Sequence, residues 1–268
     1  MVILITARFL GDNQKHYSST FNMVVRPFCY IASMVFIIFI LQNDLGSALV
    51  LFLIFAVVFL LPRHRQLRKL QTFFKLSFWF GVVGGGYFLL YTKMGEKIIS
   101  ALMSGYKKAR FTTMFNPFHD PYGFGYQLIN GLISFSVGSW FGCGIGQSIR
   151  KYTDFPAANT DFIVAVVVEE VGFMGFLFLM LLYGIIIFRL FNYAIKIKLE
   201  KAKIILIGTA MYLLIHMFFN IGGATGFIPL TGVPLLMISA GGSSTWSFMI
   251  SIGIAQAVIG QYKRGEIQ

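Results

Sequence analysis

Six stretches of about 18 or more residues carry little or no charge: about 24–42, 44–62, 73–91, 162–188, 204–226 and 240–261. A helix needs roughly 20 apolar residues to cross a hydrocarbon core of roughly 30 Å, so each stretch is long enough to span a bilayer. A seventh, incomplete span is expected at the N-terminus. There, "MVILITARFL" has neither the basic n-region nor the small-residue cleavage site of a signal peptide. The expected fold class is an all-α polytopic membrane protein with about six full transmembrane helices plus a partial N-terminal one. Residues 1–268 read as one membrane domain, since neither an internal repeat nor a low-complexity linker interrupts them. With 57% hydrophobic and 12% charged residues, the composition excludes an ordinary soluble domain.

The formal charge of +12 raises the question of a nucleic-acid partner. Sorting the cations by loop answers it. If the spans alternate, the clusters at Arg8 to Arg26, Arg63 to Lys75, Arg189 to Lys203 and Lys263 with Arg264 all fall on one side. Positive-inside orientation accounts for that bias without nucleic acid, and it makes the C-terminal tail cytoplasmic. The remaining cations, including Lys93, Lys97, Lys107, Lys108, Arg110, Arg150 and Lys151, lie in one long outer loop, about 92–161. Loops of that length are exempt from the orientation rule.

Cys29 and Cys143 are expected on opposite membrane sides and so cannot pair with each other. No zinc-type spacing joins them to His16, His64, His119 or His216, which argues against a metal held by soft ligands.

Two stretches break the helical pattern. In the outer loop, "FNPFHDPYGFGYQ" is dense in turn residues, and "YQLINGLISFSVGSWFGCGIG" is apolar but interrupted by glycines. The second suits a re-entrant or surface-lying helix that roofs a cavity, because irregular backbone at membrane depth needs protein or water to satisfy it. Between the last two spans, "GGATGFIPLTGVPLLMISAGGSSTW" carries two prolines and two glycine pairs. Its Gly241-Gly242-Ser243-Ser244 turn fits either an anion cradle or a tight helix-packing site.

Of the ten acidic residues, Asp44, Asp161, Glu169 and Glu170 sit at the mouth of a span or within one. An ionisable group there costs a few kcal/mol on insertion scales and marks a functional candidate. Asp161 is equally suited to capping the helix, since Asn159, Thr160 and Asp161 are all capping types. On a continuous helix Glu169 would lie about 12 Å deeper, turned about 80° from Asp161, so it can face the same cavity. Glu170, turned about 180°, is expected to meet a neighbouring helix. No serine-histidine-aspartate set, Walker loop or dinucleotide fingerprint is present.

Four segments then line up with a known family. "QNDLGSALV", "NPFHDPYGFGYQLINGLISFSVGSWFGCGIGQS", "NTDFIVAVVVEEVGFMG" and "GFIPLTGVPLLMISAGGSS" resemble, in order and spacing, the SEDS proteins of FtsW, RodA and SpoVE type. The resemblance covers nearly the whole chain. It implies a peptidoglycan glycosyltransferase of the bacterial cytoplasmic (inner) membrane that polymerises lipid II at the outer face, for cell division or cell shape. Asp161 of the T-D-F element matches the family's catalytic aspartate, the general base for the acceptor hydroxyl. Arg110, Arg150 and Lys151 would then offset pyrophosphate charge, with Glu169, Asp44, Gln127, Ser243 and Ser244 as further substrate contacts. A divalent cation, magnesium or manganese, is compatible with that chemistry. The implied partners are a class B penicillin-binding transpeptidase and the division or elongation machinery. A lipid II flippase and a non-catalytic scaffold for the transpeptidase are the alternatives.

Departures from the family pattern are Asn159 in place of His, Asn43 in place of Pro and Ala240 in place of Tyr. The usual ten spans and the Glu-x-x-Lys element that opens the fourth set a further expectation, that the first three or so helices are lacking.

Overall fold

A computed structural model of the chain describes residues 1–11, 20–60, 68–85, 87–88, 92, 105–152 and 155–267. Lys15, Arg63, Arg65, Lys93 and Lys97, all part of the charge argument, lie outside the described residues. Among the described residues the regular structure is helical. In chain order it comprises α1 (Val2–Gly11), α2 (Thr20–Phe36), α3 (Leu45–Leu60), α4 (Arg68–Trp79), α5 (Tyr106–Phe115), α6 (Tyr126–Gly138), α7 (Ile163–Lys196), α8 (Glu200–Ala224) and α9 (Gly242–Lys263). Helix α2 continues into a π-helical turn at Ile37–Leu41, and α4 into another at Phe80–Gly85.

Among the described residues three helices are long and apolar enough to cross a membrane: Val24–Leu41, α7 and α8. Helices α1 and α3 are shorter apolar ones, and the 22-residue α9 coincides with the span expected at 240–261. The stretch expected at 73–91 is described mainly to Gly85. Helix α7 extends beyond its expected end at residue 188 to Lys196, taking in Arg189, which the charge pattern had assigned to a loop.

Helix α8 is central, packed against α1, α3, α7 and α9. It is mostly apolar, with Ile204, Leu206, Ala210 and Leu213 fully buried, as befits a helix with several helical neighbours. Between helices in lipid there is little water to exclude, so close packing through small residues carries the association. Gly208 lets α1 approach: a Cβ there would sit 2.6 Å from a methyl of Ile3. Helix α7 instead exposes Phe178, Leu181, Ile185 and Phe188, the face expected to meet acyl chains.

After α8 the chain runs without a helix to Gly241, yet Val233, Leu235 and Leu236 are buried. Irregular backbone at that depth needs side-chain partners, and the bundle supplies them. Asn220 donates to the Val233 carbonyl at 2.9 Å, and His216 Nδ1 donates to that of Pro234 at 3.1 Å. The Tyr183 hydroxyl donates to the Leu236 carbonyl, and the Leu235 amide donates to Ser239 Oγ at 2.8 Å. The polar residues of α7 and α8 thus hold a non-helical strap inside the bundle, next to Asp161.

Candidate active site at one mouth of the bundle

Asp161 precedes the first turn of α7, and the strap fixes its backbone. Asn220 bridges the two, donating to the Asp161 carbonyl at 3.0 Å as well as to Val233. Ser239 Oγ donates to the Thr160 carbonyl at 2.6 Å, and the Ala240 amide to that of Asn159 at 2.9 Å. These bonds bring the Gly241 to Ser244 turn, where α9 begins, against the Asn159 to Asp161 turn. Ser243 is exposed there, while Ser244 Oγ donates to the Gly241 carbonyl at 3.1 Å.

The Asp161 carboxylate faces Gly232, which has φ +73°. A Cβ on that glycine would lie 3.5 Å from Asp161 Oδ2 and 3.6 Å from Arg110 Nη1, so both charged groups border the same small space. Arg110, on α5, is anchored by donating from Nη1 to the Leu230 carbonyl at 3.1 Å. Burial raises the Asp161 carboxyl above the ordinary aspartate range. The Arg110 guanidinium and a hydrogen bond from Thr160 pull it back down, and the charge of Asp44 pushes it up. Asp44 caps α3, accepting the Ser47 amide at 3.0 Å and the Ser47 hydroxyl at 2.5 Å.

Arg110 also lines a cavity of about 310 Å³ roofed by the outer loop, together with Tyr122, Phe124, Tyr126 and Gln127. The structure therefore gathers Asp161, Arg110, Asp44, Gln127 and the Ser243-Ser244 turn at one mouth of the bundle. Sequence reasoning missed Asn220, Gly232 and Ser239. A lone Asn inside an apolar span was the available signal for the first.

Glu169, Glu170, Arg150 and Lys151 form a separate group. Glu169 is 1% exposed and accepts from Ser134 Oγ at 2.8 Å, Ser148 Oγ at 2.9 Å and Arg150 Nη1 at 3.3 Å. Glu170 pairs with Lys151 Nζ at 3.6 Å, so it meets the outer loop rather than a neighbouring helix. Beside them α7 is broken at Gly172, which has φ +72° and ψ −179°, a region open in practice to glycine alone. A continuous helix would bond the Phe173 and Met174 amides to the Glu169 and Glu170 carbonyls. Instead, those amides donate to Ser139 and Trp140, and the freed carbonyls accept the amides of Cys143 and Gly144, at 2.9–3.1 Å. The loop after α6 replaces each severed bond.

Residues 1–264 match the family model FtsW/RodA/SpoVE, described as "Cell cycle protein". The chain belongs to this family. It is 36% identical over 223 residues to "Probable peptidoglycan glycosyltransferase FtsW" of Pasteurella multocida (strain Pm70), covering 80% of this chain and 50% of that one. It is 32% identical over 254 residues to the protein of the same name from Bacillus subtilis (strain 168), covering 95% and 61%. The "Stage V sporulation protein E" of Bacillus subtilis (strain 168) is 30% identical over 253 residues, covering 94% and 64%. The chain thus spans about half to two thirds of the length of these curated relatives. Among solved structures, one described as "Structural coordination of polymerization and crosslinking by a peptidoglycan synthase complex" matches with a TM-score of 0.65 and 25% identity. That match covers 95% of this chain and 66% of the other. The FtsW/RodA/SpoVE fold is therefore shared along almost all of the sequence.

Proposed function

We propose that this chain carries the catalytic mouth of a peptidoglycan glycosyltransferase that polymerises lipid II on the outer face of the bacterial cytoplasmic membrane. The observation that supports it best is the placement of Asp161, a partly desolvated carboxylate sharing the Gly232 space with Arg110. A base for a sugar hydroxyl needs a raised proton affinity, and burial supplies it. Asp161 takes the proton of the acceptor's 4-hydroxyl as that oxygen bonds to the donor's anomeric carbon. The bond from that carbon to the pyrophosphate oxygen breaks, and undecaprenyl pyrophosphate leaves. Arg110 faces the charge that develops there, with Gln127 and the Ser243-Ser244 turn as further polar contacts.

Among the described residues no three His, Cys, Asp or Glu side chains converge on a metal site. Magnesium binds with one or two carboxylates plus substrate phosphates. Asp44, close enough for its charge to act on Asp161, would hold a magnesium or manganese ion together with the substrate's phosphates and so help neutralise pyrophosphate charge, leaving the Asp161 carboxylate to act as the base. Glu169, Arg150 and Lys151 serve the same reaction from a distance by holding the outer loop. The tail is cytoplasmic on this reading. The partner is a class B penicillin-binding transpeptidase within the division or elongation machinery, in keeping with the synthase complex to which the fold is similar.

The test combines the purified chain, its transpeptidase and labelled lipid II. Glycan strands made by wild type and lost in Asp161→Ala support the reading; equal product from both would sink it.

A further inference from the structure

Residues 139–152 are built inside out by the standard of a water-soluble loop. Two of their polar side chains and much of their backbone turn inward, although Ser139, Gln147 and Lys151 are exposed: Ser148 is fully buried against Glu169, Arg150 reaches the same carboxylate, and the Ser139 to Gly144 backbone is bonded to α7. Their large apolar side chains point outward, with Phe141 81%, Ile145 84%, Ile149 72% and Tyr152 75% exposed. Soluble monomers rarely expose such a run, and a run of this size marks an interaction surface.

Continuity argues for what covers it. The Trp140 ring packs edge-on against Phe173 at 5.6 Å, and Phe173 is the first residue of α7 beyond the Gly172 break. From Phe173 to Lys196 the helix is about 36 Å long, enough to cross a bilayer. Its exposed face continues through Met174, Leu177 and Phe178. The outward side chains of the loop therefore extend the lipid-facing surface of a spanning helix past its outer end. Trp and Tyr, which mark membrane interfaces, stand near the two ends of the segment as Trp140 and Tyr152.

We infer that residues 139–152 form an interfacial anchor whose outward side chains lie in the outer leaflet of the bilayer, fixing the height of the outer loop against the membrane. Amphipathic elements of this kind bury their apolar side roughly 5–10 Å into the headgroup and acyl boundary. The anchor follows directly on α6, whose far end carries the cavity residues Tyr126 and Gln127, so its depth sets where the cavity stands relative to the membrane. A lipid-linked substrate needs that placement, although the membrane contact stands without any assignment of chemistry.

The test uses the full chain in vesicles of phosphatidylcholine and phosphatidylglycerol. Trp79→Phe and Trp246→Phe leave Trp140 as the sole tryptophan, and a second reporter places Ile145→Trp in a background that also has Trp140→Phe. Lipids brominated near the carboxyl end of the acyl chain are expected to quench both reporters, and more strongly than lipids brominated near the methyl end. A Phe178→Trp reporter on the spanning part of α7 should show the opposite preference. Emission from Trp140 and Ile145→Trp that ignores bromine while Phe178→Trp is quenched would overturn the inference. A blue shift seen only when a membrane-bound transpeptidase is added would give the surface to a protein and overturn it equally. Asp161→Asn leaves the quenching in place, so this inference and the proposed reaction fail separately.

Discussion

The amide of Phe173 donates to the carbonyl of Ser139 at 2.9 Å, in place of the Glu169 carbonyl that an unbroken helix would have offered. One intrahelical bond has been exchanged for one between the outer loop and α7, and the same exchange recurs at Met174 and Trp140. The exchange depends on Gly172. A Cβ there would strike the Trp140 carbonyl and approach the Gly142 amide to 2.5 Å, at a positive φ that side chains disfavour. Gly172→Ala is expected to destabilise the chain by about 1–3 kcal/mol, the usual cost of such backbone strain. Thermal unfolding in detergent measures it. A Tm equal to wild type would mean that the break is not required.

The carboxylate of Glu169 has three partners from two places: Ser134 on α6, and Ser148 and Arg150 in the 139–152 loop. Breaking a buried pair by deleting one partner strands the other, at about 3–5 kcal/mol. Arg150 is 18% exposed, so water recovers part of that cost. Arg150→Ala, which leaves the 1%-exposed Glu169 carboxylate without its cation, should therefore destabilise more than Glu169→Ala, which strands the wetter Arg150. Glu169→Gln, which still accepts from both serines, should fall between Glu169→Ala and wild type. Unfolding curves rank the three, and limited proteolysis should show the 139–152 loop cut faster in the same order.

Asp161 stands out in the sequence as one of four acids at or within a span, but the local pattern leaves capping and catalysis equally open, and only the T-D-F resemblance favours catalysis. The role of Glu169 was not legible, for two physical reasons. The rotation that placed it on the Asp161 face assumes one continuous helix, but α7 begins at Ile163, so Asp161 stands off the wheel. The break at Gly172 depends on hydrogen bonds to residues some thirty positions upstream, and no local pattern encodes them. The strap shows the same division. Its prolines and glycines announced irregular backbone, while the identities of Asn220, His216 and Tyr183 as its partners came only from packing.

The raised proton affinity of Asp161 has opposite consequences for stability and for rate. Burial, its largest cause, makes the folded chain hold that proton more tightly than the unfolded chain does. The resulting stabilisation is complete below the ordinary aspartate value and is lost as pH rises through the raised folded value. A base must be deprotonated, so kcat/KM should climb through that same window and level off above it. Asp161→Asn is expected to cut activity roughly 100- to 10,000-fold. Its Tm at neutral pH should be no lower than wild type, because the desolvated charge is gone. A Tm well below wild type would show that the carboxylate serves the fold.

Arg110 acts on that titration as well as on the leaving group. Its charge draws the Asp161 carboxyl downward, against burial and Asp44. Without it the acidic limb of the pH profile should move to higher pH. Arg110→Gln is expected to do so and to lower kcat roughly 100- to 1,000-fold, the usual cost of losing a donor aimed at developing charge. Arg110→Lys keeps the charge but loses the planar fork that serves both the Leu230 carbonyl and the Gly232 space. Its limb should stay near wild type while kcat falls. Measuring both profiles with labelled lipid II separates the two effects. A limb that fails to move in Arg110→Gln would break the link between this arginine and the base.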